Sequence, residues 1–295
     1  MMKNTLSILF CIILATVAGC SSNDDDPVTV PVVETPSVFK MDVNGVEKYN
    51  ISSAVVFKTE NTILIKLSNT NRISFDASGQ FGFFKLDLDL PSPGQTSLFY
   101  SFREFSSNYF DFNLEQIDEV HKRIKGTYSG YLYANEANLN SEIKYVSGYF
   151  DLAYRDLVPT VSGLKNHARI NGNDWNRTNK YSIQAADGIG THVIQHDLSD
   201  GEYKIMVNYD LTHTPVGTYN FIPADATNKI QLAKFDTVTN TYINYNCTGT
   251  LVITKREGDI FGGTYQFTAV NPNNPADVIQ VTDGDFKLVY YYQSN

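Results

Sequence analysis

Residues 146–154 read VSGYFDLAY and residues 282–290 read TDGDFKLVY. The two stretches share Gly148/Gly284, Phe150/Phe286, Leu152/Leu288 and Tyr154/Tyr290, one position in every two. A period of two belongs to a β-strand, where alternate side chains share a face. The copies therefore agree where a buried sheet face would demand it and drift on the other face. Upstream, DFNLEQIDEVHKRIKGTY (111–128) lies without gaps on TGTLVITKREGDIFGGTY (248–265), with Leu114 on Leu251 and Gly126-Thr127-Tyr128 on Gly263-Thr264-Tyr265. On its own, 114–125 has apolar residues at helical spacing (Leu114, Ile117, Val120, Ile124). Its partner carries Gly258 between β-branched runs, so a hairpin is the better reading of both.

Outward from this repeat the same grammar continues. Phe84 to Leu90 alternates Leu86, Leu88 and Leu90 against Lys85, Asp87 and Asp89, and 62–67, 203–209 and 286–290 are read the same way. Turn pairs punctuate the strands: Asn44-Gly45, Asn171-Gly172, Asp187-Gly188, Asp200-Gly201 and Asp283-Gly284. Pro93-Gly94 and Pro215-Val216-Gly217 are read as matching turns of the two copies. The expected fold is all-β: two tandem antiparallel β domains, each a sandwich or flattened barrel, at 38–157 and 167–295, joined by a linker at 158–166.

The first 37 residues follow other rules. Lys3 precedes an apolar run, Leu6 to Ala18, too short for the roughly 20 residues of a membrane span and suited to an export signal. It ends in Val17-Ala18-Gly19-Cys20, which resembles the lipobox of bacterial lipoproteins. That resemblance implies cleavage after Gly19 (signal peptide 1–19) and acylation of Cys20, palmitate included. Several acyl chains anchor a protein stably where one does so only reversibly. Asp24, Asp25 and Asp26 resemble the acidic tag that sends some lipoproteins to the outer face of the outer membrane; facing the periplasm is the alternative. Residues 20–37, with Pro27, Pro31 and Pro36 among acids, read as an extended tether.

The formal net charge is −9. That argues against nucleic acid and against adsorption to anionic lipid, both of which need basic patches. The membrane partner expected here is reached through the lipid anchor. Cys11 leaves with the signal and Cys20 is acylated, so Cys247 stands alone, with no disulfide and no cysteine metal set. It reads as a buried residue.

An Asn-Gly start followed by an aromatic residue, a later Gly-Thr-Tyr strand and a closing Asp-Gly-x-Phe strand, behind a lipobox, resemble a family of small bacterial lipoprotein domains of unknown function. The likeness covers both copies and is closer in the second (Trp175, Asp283-Gly284); the first has no Trp and carries Ser147-Gly148. It implies fold and address, and no activity.

Candidate chemistry is sparse. His192 and His196 would share a face on a helix at ligating distance, but HVIQHDL reads as a strand, on which they stand ~13 Å apart. His121, His167 and His213 have no obvious sequence partners and suit exposed turns. Asp87 and Asp89 lie opposite an apolar stripe, the usual solvated face. Asp283-Gly284-Asp285 near Asn271, Asn273, Asn274 and Asp277 reads as a hairpin turn rather than a calcium loop, because the loop's full ligand spacing is absent. No metal site, cofactor or catalytic residue is assigned. The aromatics are more than one sheet face can bury: Tyr149, Tyr154, Trp175, Tyr242, Tyr245 and Tyr290 to Tyr292. Trp175 and Tyr291 are the candidate ligand-binding rings. The expected function is a non-catalytic binding module for a glycan, an envelope component or a partner protein. The alternatives are a carbohydrate hydrolase with acids from unpaired loops, or a structural envelope protein without ligand. Acids converging in a cleft would favour the hydrolase, and a flat aromatic patch would favour binding.

Overall fold

A computed structural model describes residues 36–89, 96–158, 161–177, 181–186, 192–198, 201–210, 213–258 and 260–289, with backbone alone for Asp89, Thr96, Arg177, 181–186 and 192–198. The signal peptide, Cys20, Asp24 to Asp26, the tether to Thr35, Pro93-Gly94, Asp187-Gly188 and Tyr290 to Tyr292, Tyr291 included, lie outside the described residues. Among the described residues no helix is long and apolar enough to cross a membrane.

Among the described residues the first half has ten strands: β1 Val38–Val43, β2 Val46–Ile51, β3 Val55–Lys58, β4 Thr62–Lys66, β5 Arg72–Asp76, β6 Phe81–Asp89, β7 Thr96–Tyr100, β8 Phe110–Asp118, β9 Arg123–Tyr133 and β10 Ile143–Asp156. They form two layers, β2-β1-β10-β9-β8 and β3-β4-β5-β6-β7. Beyond its pairing with β1, β10 runs on to pair in parallel with β3, and Tyr133 of β9 meets Tyr100 of β7. With β9 on β10 the ladder closes on itself, a flattened barrel with one parallel seam.

The second half has eleven: β11 Lys165–Ile170, β12 Asn173–Arg177, β13 Tyr181–Ala186, β14 His192–Leu198, β15 Tyr203–Asp210, β16 Gly217–Phe221, β17 Lys229–Asp236, β18 Thr241–Asn244, β19 Asn246–Glu257, β20 Ile260–Asn271 and β21 Asn274–Val289. Its sheets are β12-β11-β21-β20-β19-β16 and β13-β14-β15-β17-β18, an open sandwich. Strand for strand this is the order of the first half, with β16 added on the edge of β19. Gly217 opens that extra strand, whereas Pro93-Gly94 falls between β6 and β7, so the two Pro-Gly signals are not equivalent turns. The hairpin reading of 114–125 and of its partner holds.

The duplicated residues occupy the same ladder positions. Gly148 pairs with Tyr128 and Phe150 with Gly126; Gly284 pairs with Tyr265 and Phe286 with Gly263. Asn44-Gly45 and Asn171-Gly172 make tight turns, with positive φ at all four residues. Asp283-Gly284 is a different matter. It sits inside β21 at a register shift opposite Tyr265–Phe267, with Asp283 at φ 53°, and so forms a bulge rather than a hairpin turn. Residues 203–209 also depart from simple alternation. Met206 and Asn208 are covered as well as Ile205, Val207 and Tyr209, and Met206 lines a cleft shared with Phe102 and Ala137 of the first half.

Each half has its own core. Phe39, Ile63, Phe75, Phe84, Ile124 and Phe150 are central in the first, and Ile205, Tyr209, Leu251, Phe261, Tyr265 and Phe286 in the second. Strand pairing among the described residues does not cross 157–164. A small third cluster joins Phe102 and Tyr133 to Phe235, and from Pro36 onward the chain is one compact unit.

Candidate functional site

Trp175 does not offer a surface ring. It stands opposite Ala168 on the inner face of β12, where the small alanine leaves room for the indole, and is 6% exposed in the second core. Tyr154 and Tyr245 are buried too. Rings reach solvent elsewhere, on the outer face of β9 and β10. Because Leu132, Val146 and Phe150 are fully buried, the residues alternating with them face outward: Tyr131 (46% exposed), Tyr145 (39%) and Tyr149 (42%).

Tyr131 and Tyr145 are cross-strand partners whose rings meet edge to face, centroids 5.3 Å apart. Tyr149 stands four residues along β10, about 13 Å away by strand rise. The Lys40 ammonium of β1 lies 5.9 Å from its ring centroid, a weak cation–π contact. Between the rings lie Ser147, Ser129 and Thr127, small hydroxyl residues that keep the surface level. The β-ladder on both sides of β10 fixes the backbone that carries the rings, so their spacing along the face is set before any contact.

The corresponding positions of the second half carry no such face. Tyr131 and Tyr145 correspond by register to Thr268 and Gln280, which hydrogen-bond to each other at 2.9 Å. Tyr149 corresponds to Asp285, which pairs with Lys165. The shared fold therefore does not require tyrosines at these positions. No family model, curated protein or solved structure matches the chain. Its surface chemistry must be read from its own residues.

Two carboxylates face one cleft among the described residues. A cleft of about 500 Å³ is lined by Asp111 and Asp174 with Ser78, Gln80 and Asn176. Asp174 is 69% exposed and meets Arg169 Nε at 3.2 Å and His167 Nε2 at 3.8 Å; Asp111 is exposed. A glycosidase acid has to keep its proton near neutral pH, which calls for an apolar, water-poor pocket. These two acids stand open to water, Asp174 beside two basic side chains, and neither lies in such a pocket.

The remaining candidates fall into structural roles. The histidines have partners after all. His121 Nδ1 lies 2.7 Å from Asp118, His213 Nδ1 lies 3.0 Å from Asp210, and His167 is on β11 rather than in a turn. His192 and His196 are on strand β14. Asp283 and Asp285 lie beside Arg169 and Lys165. Among the described residues no three His, Cys, Asp or Glu gather as a metal-ligand set. Asp87 faces outward from β6 between the buried Leu86 and Leu88. Cys247 is buried, and burial pushes its thiol up to about 11, away from thiolate chemistry.

The tyrosine face was within reach of the sequence by one rule. Along 146–154 and 282–290 the identical positions alternate on the inner face, so a position between them where a tyrosine meets a polar residue faces outward. Tyr149 against Asp285 satisfies it.

Proposed function

We propose that the chain is a lipid-anchored binding protein of the outer membrane, facing the cell exterior, and that it holds an extended glycan against Tyr131, Tyr145 and Tyr149. The single observation that carries this is a row of exposed tyrosine rings on a paired sheet face with hydroxyl residues between them, at positions where the other copy carries Thr268, Gln280 and Asp285. Sugar rings present an apolar face edged by hydroxyls. Stacking on an aromatic ring with neighbouring hydrogen-bonding groups matches both parts of that surface. The lipid anchor is supported by Val17-Ala18-Gly19-Cys20 and the aspartates at 24 to 26.

Two experiments test the two parts. In glycan-array and calorimetric binding with the full chain, replacing Tyr131, Tyr145 and Tyr149 together by alanine lowers affinity for every glycan held on this face at least tenfold. Retention of a protein partner instead, with no glycan bound by the wild type, would replace this reading by a protein-docking one. In fractionated cells, wild type is membrane-bound and cut by external protease, and Cys20→Ala is released. A soluble wild type overturns the anchor, and a membrane-bound but protease-protected one moves the protein to the periplasmic face.

A further inference from the structure

A second site lies on the outer face of the other layer of the first half. Arg72 of β5, Lys85 of β6 and Tyr100 of β7 form one cross-strand row. Together with Phe83, two residues before Lys85, and with Arg103 and Glu136 beyond the strand ends, they line a cavity of about 420 Å³. That volume lies within the roughly 300–1,000 Å³ typical of small-ligand sites. The Arg103 amide donates to the Glu136 carbonyl at 2.9 Å, which closes the end of the cavity.

Three cations lie here in a chain whose net charge is −9, and they are poorly neutralised. Among the described residues Arg72 has no ion pair, and its Nε is buried without a hydrogen-bond partner. Lys85 has an aromatic partner instead of a carboxylate, its ammonium 5.6 Å from the Tyr100 ring centroid. Arg103 gives its Nε to Glu104 at 3.1 Å, which leaves the terminal nitrogens. The neighbouring acids are Glu136 in the lining and Asp87 two residues along from Lys85. The Asp87 Oδ1 is likewise buried without a hydrogen bond, so it does not serve Arg72. A buried charged donor with no acceptor costs more than an ordinary missing hydrogen bond, and a ligand oxyanion would remove that cost. Phe83, 42% exposed, adds an open ring beside the cations.

We propose that this cavity binds a carboxylate-bearing sugar, a uronic acid unit of an acidic polysaccharide, with Arg72 and Arg103 on the carboxylate and Phe83 against the sugar ring. A planar guanidinium matches a carboxylate bidentately, and the exposed aromatic ring selects a sugar over a bare anion. The protein's overall negative charge does not forbid this, because beyond about 8 Å it is screened at physiological ionic strength. The site is separate from the tyrosine face and does not depend on it.

The test is calorimetric titration of the full chain at about 0.15 M salt with tetragalacturonate and with its fully methyl-esterified form, which keeps the sugar and removes the charge. Wild type is expected to bind the acid at least tenfold more tightly than the ester. Arg72→Gln should weaken acid binding at least tenfold, and Lys85→Gln, on an outward-facing side chain, should weaken it severalfold with the fold intact by circular dichroism. The Tyr131, Tyr145 and Tyr149 triple alanine variant should retain it. Equal binding of acid and ester overturns the proposal, as does wild-type affinity in both cation variants. Inorganic sulfate displacing the tetramer at equal concentration would mean a bare anion site and overturns the sugar assignment. Loss in the tyrosine variant with retention in Arg72→Gln would place the acid on the tyrosine face, sinking this site and leaving the proposed function standing.

Discussion

Gly148 and Gly284 each lie under a tyrosine ring that occupies the space a side chain would need. A Cβ at Gly148 would come 2.0 Å from the Lys40 carbonyl oxygen and 2.6 Å from Tyr128 Oη; at Gly284 it would come 2.3 Å from Tyr265 Cδ2. The rings are fixed at their far ends, Tyr128 donating to the Lys40 carbonyl at 3.0 Å and Tyr265 to Asn166 Oδ1 at 2.6 Å. Burial holds both phenols far above their ordinary pKa, so they remain donors. With backbone or a pinned ring in the way, Gly148→Ala and Gly284→Ala should each cost about 1–3 kcal/mol, read as a lower urea midpoint at unchanged slope. An unchanged midpoint in either variant would mean that the ring is free to move. Cys247 gives a second residue-scale expectation. With its thiol pushed up to about 11 by burial, it should resist iodoacetamide at pH 8 in the native protein and react once urea unfolds it. Rapid native alkylation would contradict its burial.

At the scale of the element, the two copies differ by single inserted residues that bulges absorb. In the first copy Met41 faces Tyr49 and in the second Ala168 faces Trp175, although Tyr49 lies one residue further from its Asn-Gly turn. The register shift between Met41 and Asp42 takes up the difference and keeps both rings on the inner face. The far end of the β20–β21 hairpin is tied by Asp277, which accepts from Tyr245 Oη at 2.5 Å and from Asn271 Nδ2 at 3.0 Å. Those donors, the Tyr245 hydroxyl foremost, hold the carboxyl below the ordinary carboxylate range. A depressed folded pKa contributes stability above the unfolded value of about 3.9 and loses it as pH falls through the folded value. Asp277→Asn should therefore melt below wild type at pH 7, with the gap narrowing at pH 3; a gap independent of pH would assign the effect to shape alone. The strands and the duplication were legible because a buried face fixes residue type at every second position. The bulges were not, because an extra residue leaves composition and alternation on either side intact. That is why Asp283-Gly284 passes for a turn. Trp175 is hidden for a related reason: a surplus of aromatics does not say which ring faces inward, and only its pairing with Ala168 reveals the inner face.

At the scale of the whole molecule, the halves share a strand order and divide their surfaces unequally. The tyrosine face and the cationic cavity are both on the first half; comparing the copies marks one ring of the face, Tyr149, and nothing in the sequence marks the cavity. Each is assembled across neighbouring strands whose register decides who meets whom, Tyr131 with Tyr145 and Arg72 with Lys85, and Arg103 joins the cavity from beyond the strand ends. What couples the halves is small and aromatic. Phe235 of β17 packs edge-on against Phe105 at 5.5 Å and Tyr109 at 6.4 Å, and Tyr109 donates to Asn240. Phe235 belongs to this third cluster and to neither main core. Phe235→Ala should then cost about 3–5 kcal/mol at the junction while both cores stay packed, so that the halves melt separately. The chain's single tryptophan makes this visible, because Trp175 sits in the second core and reports on that half alone. In wild type, tryptophan fluorescence and far-ultraviolet circular dichroism should trace one coincident transition. In Phe235→Ala the fluorescence should follow only one of two steps in the dichroism. Coincident curves in the variant would show that the halves are held together by more than this cluster.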